Sequence, residues 1–208
     1  MEGWLARWYA RTRAHDMADF RAEASAVAAR LSPGAAVLEV APGPGYFAIE
    51  LAQLGAFRIV GVDIGRSFVA LAAENARQAG VTVDFRYGDV SNLPFADQSF
   101  DFVYCSAAFK NFAEPVRALN EMHRVLRPGG EALIVDLRKD TSIQQIDGYL
   151  HDSGRSGLDL WLTRLIFRHL LCKRAYPREA FRGLVRQSAF GVCAINPGPI
   201  GFQARFAK

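Results

Sequence analysis

The hydrophobic and polar positions along the chain follow two alternating periods. Short apolar runs of strand length are separated by stretches in which apolar residues recur at the spacing of one helix face. The runs predict strands over 36–41, 58–62, 82–87, 100–105 and 131–137. The helical spacing predicts helices over 4–14, 17–31, 46–54, 67–79 and 113–126. Strands that alternate with helices in this way imply crossover connections and a parallel sheet covered on both faces.

The pattern changes after Asp140, where a mostly helical insert over 141–175 is predicted. The remaining chain predicts one helix and two strands, over 177–187, 191–196 and 200–207. Only Pro197-Gly198-Pro199 separates the two strands, and so short a connection favours an antiparallel hairpin. We find no internal repeats or linkers and predict a single domain.

Composition limits the class of protein. Half of the 208 residues are hydrophobic and 22% are charged, which is typical of a folded globular domain rather than a disordered chain. The formal net charge of +4 is a mild basic excess. It permits anionic partners or an anionic membrane surface without requiring either.

The cysteines and the N-terminal region bear on the compartment. Cys105, Cys172 and Cys193 are odd in number and widely spaced, so we expect reduced thiols, with a three-thiolate arsenic or metal site as the alternative. Charged residues interrupt every apolar run over 1–30, so we expect no signal peptide. No run approaches the roughly 20 residues that cross a bilayer. These features predict a soluble, cytoplasmic protein.

Candidate chemistry lies at the ends of the first two strands, where open parallel sheets bind ligands. The first strand runs from Glu39 into a loop in which Gly43 and Gly45 let backbone approach a ligand, and the next helix offers free N–H groups. This loop also fits the GxGxxA form of the nicotinamide-dinucleotide fingerprint, or a purely structural turn. Asp63 ends the second strand, where a carboxylate can accept both hydroxyls of a ribose or cap the next helix.

Four further motifs distinguish between the cofactors. In chain order they are Gly88-Asp89-Val90, Leu93-Pro94-Phe95, Ser99-Phe100-Asp101 and Arg127-Pro128-Gly129-Gly130. Together with the loop and Asp63, this set resembles the class I S-adenosylmethionine-dependent methyltransferases, in particular the small-molecule branch of ubiquinone-biosynthesis and sterol enzymes (the methyltransferase domain 11 type). The resemblance covers roughly residues 32–138 and, more loosely, the hairpin at the end.

The resemblance implies a fold, a cofactor and a set of contacts. The fold would be a Rossmann-like three-layer α/β/α sandwich, with a seven-stranded, mostly parallel sheet whose last strand is antiparallel. S-adenosylmethionine would be the cofactor, its methionine part held by the loop from Glu39 through Ala41, Gly43 and Gly45. The remaining contacts would be Asp63 with the ribose, Ile64, Asp89 and Val90 with the adenine, and Cys105 with Ser106 near the methyl group.

Two departures from the family pattern stand out. Ala41 occupies the loop position that is usually Gly, from which we expect a tighter loop rather than lost binding. The stretch 107–112, which often carries a His in this branch, has none. We therefore assign no catalytic base, and we predict no metal.

The predicted function is in-line methyl transfer to a small, lipophilic acceptor. Residues 1–31 would form a helical lid, 32–139 the cofactor-binding core, 140–176 a helical substrate-pocket insert and 177–208 the C-terminal helix and strand pair. Arginines and lysines of the insert would give the pocket a cationic rim, suited also to an anionic acceptor. The candidate substrate contacts are Tyr46, Lys110, Asn111 and Trp161.

Other functions stay open at this point. They are an RNA or protein methyltransferase, an NAD(P)-dependent oxidoreductase and a non-catalytic, cofactor-binding regulator. The absence of an appended basic domain argues against a nucleic-acid partner. The basic, amphipathic insert allows peripheral membrane contact, and the oligomeric state is undetermined.

Overall fold

The structure is a computed structural model that describes residues 3, 13, 16–152, 157–166 and 172–208. The predicted helix over 4–14 lies outside the described residues, apart from residue 13. Within the described part of the chain, no helix combines the length and the hydropathy needed to span a bilayer.

Strands and helices alternate as the pattern predicts. The strands are β1 Ala36–Val40, β2 Arg58–Asp63, β3 Asp84–Tyr87, β4 Phe100–Ser106, β5 Leu126–Leu137, β6 Ala194–Pro197 and β7 Gly201–Ala207. The helices are α1 Met17–Ala28, α2 Tyr46–Leu54, α3 Arg66–Gln78, α4 Pro115–Val125, α5 Ile143–Asp152, α6 Gly157–Ile166, the short α7 Cys172–Arg174 and α8 Arg178–Gln187.

The seven strands form one sheet in the order β3-β2-β1-β4-β5-β7-β6. Neighbours from β3 to β5 run parallel, whereas β7 is antiparallel to both β5 and β6. The predicted α/β sandwich and the terminal hairpin are therefore confirmed. The strand order reverses between β1 and β4, and at such a switch point a cleft opens beyond the carboxyl ends of the strands.

Helices cover both faces of the sheet. On one face, α1 and α2 bury Phe20, Val27 and Phe47 against Phe102 and Tyr104 of β4. On the other face, α4 and α8 pack over the alternate side chains of the same central strands and of β7. Every residue of β1 is buried, as expected for a strand covered on both sides.

The largest difference from the predicted elements concerns β5. Strand pairing begins at Leu126, five residues before the expected start at Glu131. The register slips between Phe100 and Phe102, so 127–130 form an irregularity within the strand rather than a break before it. Gly129, with φ of +78°, takes up the bend.

Candidate cofactor and acceptor site

The loop after β1 follows a left-handed path. Ala41, Gly43 and Gly45 have φ of +54°, +54° and +80°. The Ala41 amide donates to the Val62 carbonyl at 2.7 Å, which extends the β1–β2 ladder by one residue before the chain turns. Ala41 therefore occupies a conformation that costs an L-residue about 1–2 kcal/mol, and the expected tight loop is observed.

Gly45 is required by packing at the start of α2. A Cβ atom at this position would lie 2.7 Å from Phe85 Cζ and 3.0 Å from Ala72 Cβ. The missing side chain lets α2 approach β3 and α3 closely. The start of α2 consequently stays near the carboxyl ends of β1 and β2.

Asp63 joins the two turns that follow β1 and β2. Its Oδ2 accepts from the Gly43 amide at 3.1 Å, and its Oδ1 accepts from the Gly65 amide at 2.8 Å. Gly65, not Asp63, is the N-cap residue of α3, so the helix-capping alternative is not what the structure has. The carboxylate is buried and fixed at the rim of the cleft.

Glu39 lies within β1, one residue before the strand ends. Its Oε2 accepts from the Ala48 amide of α2 at 3.1 Å, and 4% of the residue is exposed. The pKa of Glu39 is raised to about 8, mainly by burial and in part by the nearby carboxylates of Asp63 and Glu23, against the lowering effect of the Ala48 hydrogen bond. At neutral pH the Glu39 carboxyl is thus mostly protonated until a cation approaches.

The residues expected to bind adenine are grouped where β2 and β3 end side by side. Ile64 follows β2 and is 64% exposed, which is unusual for a large apolar side chain. Asp89 Oδ1 accepts from the Ser91 amide at 2.8 Å and closes a turn that carries Val90. The Gly88 amide donates to the Asp63 carbonyl at 3.1 Å, tying the two strand ends together.

Successive side chains of a strand point to opposite faces of the sheet, so Cys105 and the residues after it have different surroundings. Cys105 is fully buried in the core cluster under α4 and α8, and burial raises the pKa of its thiol far above the usual range. Ser106 and Ala107 instead line a cleft. We therefore expect a contact near the methyl group to come from Ser106 rather than from the Cys105 thiol.

The cleft beyond β4 has a volume of about 330 Å³. Its walls come from α1, the ends of β4 and β5, α5 and the β6–β7 turn, and its apolar members are Phe20, Ala22, Ala107, Val135, Leu137, Tyr149, Pro199, Ile200 and Phe202. Its charged members are Arg13, Asp16, Asp19, Glu23 and Asp136. Four of the five charged residues that line the described part of the cleft are therefore acidic, and the cationic rim expected from the insert stays a prediction. Arg164 of the insert pairs with Asp147.

Lys110 forms a buried ion pair with Asp136. The Lys110 Nζ lies 2.9 Å from Asp136 Oδ1 and also donates to the Ala107 carbonyl, while the Lys110 amide donates to Asp136 Oδ2 at 2.9 Å. Both side chains are 2% exposed. Lys110 is therefore not an exposed loop lysine. Its contact with a substrate stays a prediction, and its observed partners are internal.

The three other candidate substrate contacts are dispersed. Tyr46 is half-buried at the start of α2, its ring 5.8 Å from that of Phe20, and burial raises the pKa of its hydroxyl. Asn111 is exposed on the 3-10 turn Phe109–Asn111. Trp161 is 57% exposed on α6 and is not among the described residues that line the cleft.

Two carboxylates at the site escape the sequence analysis. Asp136 closes an apolar strand, as Asp63 does, so the rule that selects strand ends could have selected it. Glu23 sits on α1 beside the buried stripe of Phe20, Ala24 and Val27. Nothing local marks it, because its partner is Tyr104 of β4.

The described residues hold no group of three or more His, Cys, Asp or Glu side chains suited to a metal ion. Cys105 and Cys193 are both free, and the side chain of Cys172 lies outside the described part. The geometry therefore gives the three-thiolate alternative no support.

Comparison with known proteins agrees with this geometry. Residues 38–134 match the family model described as a methyltransferase domain. This segment of the chain is a methyltransferase domain. S-adenosylmethionine is the cofactor of that family, and the site contains a buried carboxyl group at Glu39, a carboxylate held by two amides at Asp63 and an exposed apolar side chain at Ile64.

The relatives of this methyltransferase domain include both sequences and solved structures. A demethylmenaquinone methyltransferase of Deinococcus radiodurans is 37% identical over 136 residues, which is 65% of this chain and 51% of that protein. The chain spans about half the length of the curated relatives it matches. An S-adenosylmethionine-dependent methyltransferase of Aquifex aeolicus shares the fold, with a TM-score of 0.63, 17% identity and coverage of 85% of this chain and 83% of that one. The [4+2]-cyclase SpnF has a TM-score of 0.61, 28% identity and coverage of 85% and 58%.

The strain at Ala41 can be measured. We expect Ala41→Gly to raise the free energy of unfolding by about 0.5 kcal/mol, because the relief of left-handed strain, about 1–2 kcal/mol, exceeds the roughly 0.4–1 kcal/mol by which Gly favours the unfolded chain. The control Ala29→Gly, at a φ of −63°, should lower it. Urea unfolding followed by circular dichroism measures both, and equal losses in the two variants would contradict a strained Ala41.

The Lys110–Asp136 pair makes a second prediction about this methyltransferase domain. Lys110→Met should lower the free energy of unfolding by about 3–5 kcal/mol, because it leaves the Asp136 carboxylate buried without its cation. Lys110→Met combined with Asp136→Asn should recover at least half of that loss. The control Arg182→Met breaks the exposed pair with Glu179 and should cost less than about 1 kcal/mol. Comparable losses from Lys110→Met and Arg182→Met in urea unfolding would show that the buried pair has no special weight.

Proposed function

We propose that this protein transfers a methyl group from S-adenosylmethionine to a small, lipophilic acceptor. The observation that carries the proposal is the arrangement at the switch point between β1 and β4. Carboxyl groups suited to the cofactor lie at the carboxyl ends of β1 and β2, at Glu39 and Asp63, and an apolar cleft begins at Ser106 and Ala107, where the neighbouring strand β4 ends.

The cofactor would be held as the family resemblance implies. Glu39 would support the ammonium group, the loop through Gly43 and Gly45 would bind the carboxylate end, and Asp63 would accept the ribose hydroxyls. Ile64, Asp89 and Val90 would contact the adenine. When bound, the cofactor supplies an activated methyl group, so the work left to the protein is alignment and exclusion of water.

The acceptor would occupy the cleft of about 330 Å³, a size suited to a small ligand. Its apolar walls favour a lipophilic molecule. Since the charged side chains that line the described part are mostly acidic, we propose a neutral acceptor in preference to an anionic one. The similarity to a demethylmenaquinone methyltransferase supports a reduced quinone as the class to test first.

Binding and transfer should be tested separately, because a cyclase shares this fold. We expect micromolar binding of S-adenosylmethionine in calorimetry, no binding of NADH, and at least a tenfold weaker affinity in Asp63→Asn, since charge-assisted bonds contribute about 1.5–3 kcal/mol each. Asp84→Asn, an exposed carboxylate on the edge strand, is the matched control and should bind normally.

Transfer would then be followed with tritium-labelled cofactor and a reduced, isoprenoid-substituted naphthoquinone as the probe. We expect label to enter the organic phase with the wild type and not with Asp63→Asn. Binding of NADH alone would overturn the assignment. Binding of S-adenosylmethionine without transfer to any quinol or phenol tested would instead favour a regulator or another chemistry on the same fold.

We also propose a peripheral contact with the cytoplasmic membrane, where such an acceptor would be found. Trp161 and Leu165 are 57% and 40% exposed one helical turn apart on α6, and Lys173 and Arg174 are exposed nearby along the chain. Apolar and basic side chains together suit an anionic bilayer surface. A cytoplasmic location also suits the free thiols of Cys105 and Cys193.

This contact predicts binding to vesicles of phosphatidylcholine with 30% phosphatidylglycerol. Trp161→Ser combined with Leu165→Ser should reduce the co-sedimenting fraction about tenfold, because the two side chains would lose their burial in lipid. Leu54→Ser combined with Val192→Ser, which removes two apolar side chains that are 50% and 80% exposed elsewhere, should leave binding unchanged. Equal reduction in both double variants, or no vesicle binding by the wild type, would rule out this face.

A further inference from the structure

A carboxylate on α1 reaches into the sheet next to the proposed cofactor site. Glu23 accepts a hydrogen bond from the Tyr104 hydroxyl. Tyr104 is fully buried, and its ring stacks on that of Phe47 with centroids 3.7 Å apart, which fixes the position of the hydroxyl. The contact joins residues 81 positions apart in the chain and attaches α1 to the middle of β4.

Tyr104 stands beside Glu39. The two residues are partners in the parallel register of β1 and β4, and both face the side of the sheet that α1 and α2 cover. Glu23 and Glu39 are close enough that each influences the local electrostatics: the Glu23 charge raises the pKa of Glu39, and the Glu39 charge raises that of Tyr104. Two carboxyl groups thus flank one buried hydroxyl.

The local charges act on Glu23 in both directions. Burial raises the pKa of Glu23, and the Asp19 carboxylate raises it further, while the Tyr104 bond and Arg13 lower it. Arg13 lies 2.8 Å from Asp16, its ion-pair partner, and Arg30 and Arg205 line a second cavity that Glu23 also borders. The carboxyl groups of Glu23, Glu39 and Asp63 therefore form a setting that a bound cation would stabilise.

Glu23 is also accessible from the cleft. It lines the same cavity as Ser106 and Ala107, at the end of β4 where the cofactor and the acceptor would meet. The methionine end of S-adenosylmethionine carries two cationic groups, an ammonium and a sulfonium. A carboxylate on the wall of this cleft and beside Glu39 is placed to attract them.

On the basis of the proposed function, we propose that Glu23, held by the Tyr104 hydroxyl, is a second carboxylate for the cationic methionine end of the cofactor. Glu39 would act from the sheet and Glu23 from α1. Binding of the cofactor would thereby add a direct contact with α1, the helix that walls the acceptor space.

Calorimetric titration with S-adenosylmethionine tests this inference without any knowledge of the acceptor. Glu23→Gln keeps the size of the side chain and an oxygen for the Tyr104 hydroxyl, and we expect it to weaken binding about tenfold. Glu23→Asp, which keeps the charge, should bind with intermediate affinity. Tyr104→Phe, which frees Glu23 from its anchor, should weaken binding by a smaller factor than Glu23→Gln.

Glu50→Gln is the matched control. Glu50 of α2 accepts from Arg21 of α1 at 3.1 Å and is buried, so it also ties α1 to the fold, yet it does not line the cleft. If Glu23 acted only by holding α1 in place, the two Gln variants would weaken binding equally. We expect Glu50→Gln to bind with less than a twofold change.

Proton release provides a readout that a structural role would not affect. A cation that binds next to carboxyl groups of raised pKa favours their ionised forms, so protons leave as the cofactor binds. Titrations at pH 7.5 in phosphate and in Tris measure the number released, which should fall in Glu23→Gln and stay unchanged in Glu50→Gln. Wild-type affinity together with wild-type proton release in Glu23→Gln would overturn the inference. Absence of binding by the wild type would instead overturn the proposed function.

Discussion

Two neighbouring parallel strands, β1 and β4, send the chain to opposite faces of the sheet, and the site depends on this divergence. The segment after β1 leads into α2 on one face, and the segment after β4 leads towards α4 on the other. Each exit is made by an alanine with φ near +55°, Ala41 and Ala107. Each of these residues first extends the ladder, with Ala41 donating to Val62 at 2.7 Å and Ala107 to Val135 at 2.8 Å. The chain thus stays paired until the last residue and then turns sharply, which leaves a steep-walled opening between the two exits.

The same strand ends place carboxyl groups at the bottom and the edge of this opening. Glu39 and Asp63 lie near the ends of neighbouring strands; Glu39 accepts from the Ala48 amide in the first turn of α2, and Asp63 accepts from the Gly43 and Gly65 amides of the loops after β1 and β2. Asp136 at the end of β5 does the same with the Lys110 amide and adds the Lys110 ammonium. Each of these carboxylates accepts one or two backbone amides from the segment beside it, and these hydrogen bonds fix the three strand ends around the opening, although ordering each side chain costs entropy.

Much of this could be predicted from sequence because it rests on local patterns. The helix over 46–54 and the antiparallel end of the sheet follow from periodicity and turn residues, and Glu39 and Asp63 follow from their places at strand ends. The pairing of Lys110 with Asp136 and of Glu23 with Tyr104 could not be predicted, because each joins residues far apart in the chain. The start of β5 was missed for a related reason: pairing with Phe100 across the sheet overrides the turn signal of Pro128-Gly129-Gly130.

The two halves of the site come from different parts of the chain, and this division bears on specificity. The segment that matches the family model, 38–134, contains every residue that the family resemblance assigns to the cofactor. Most of the acceptor cleft lies outside it, in α1, the end of β5, α5 and the β6–β7 turn, with Ser106 and Ala107 as the shared edge. Similarity within 38–134 therefore carries information about the methyl donor. The acceptor that we propose, a neutral and lipophilic molecule, would be selected by the flanking segments, which supply the apolar walls and the acidic side chains of α1.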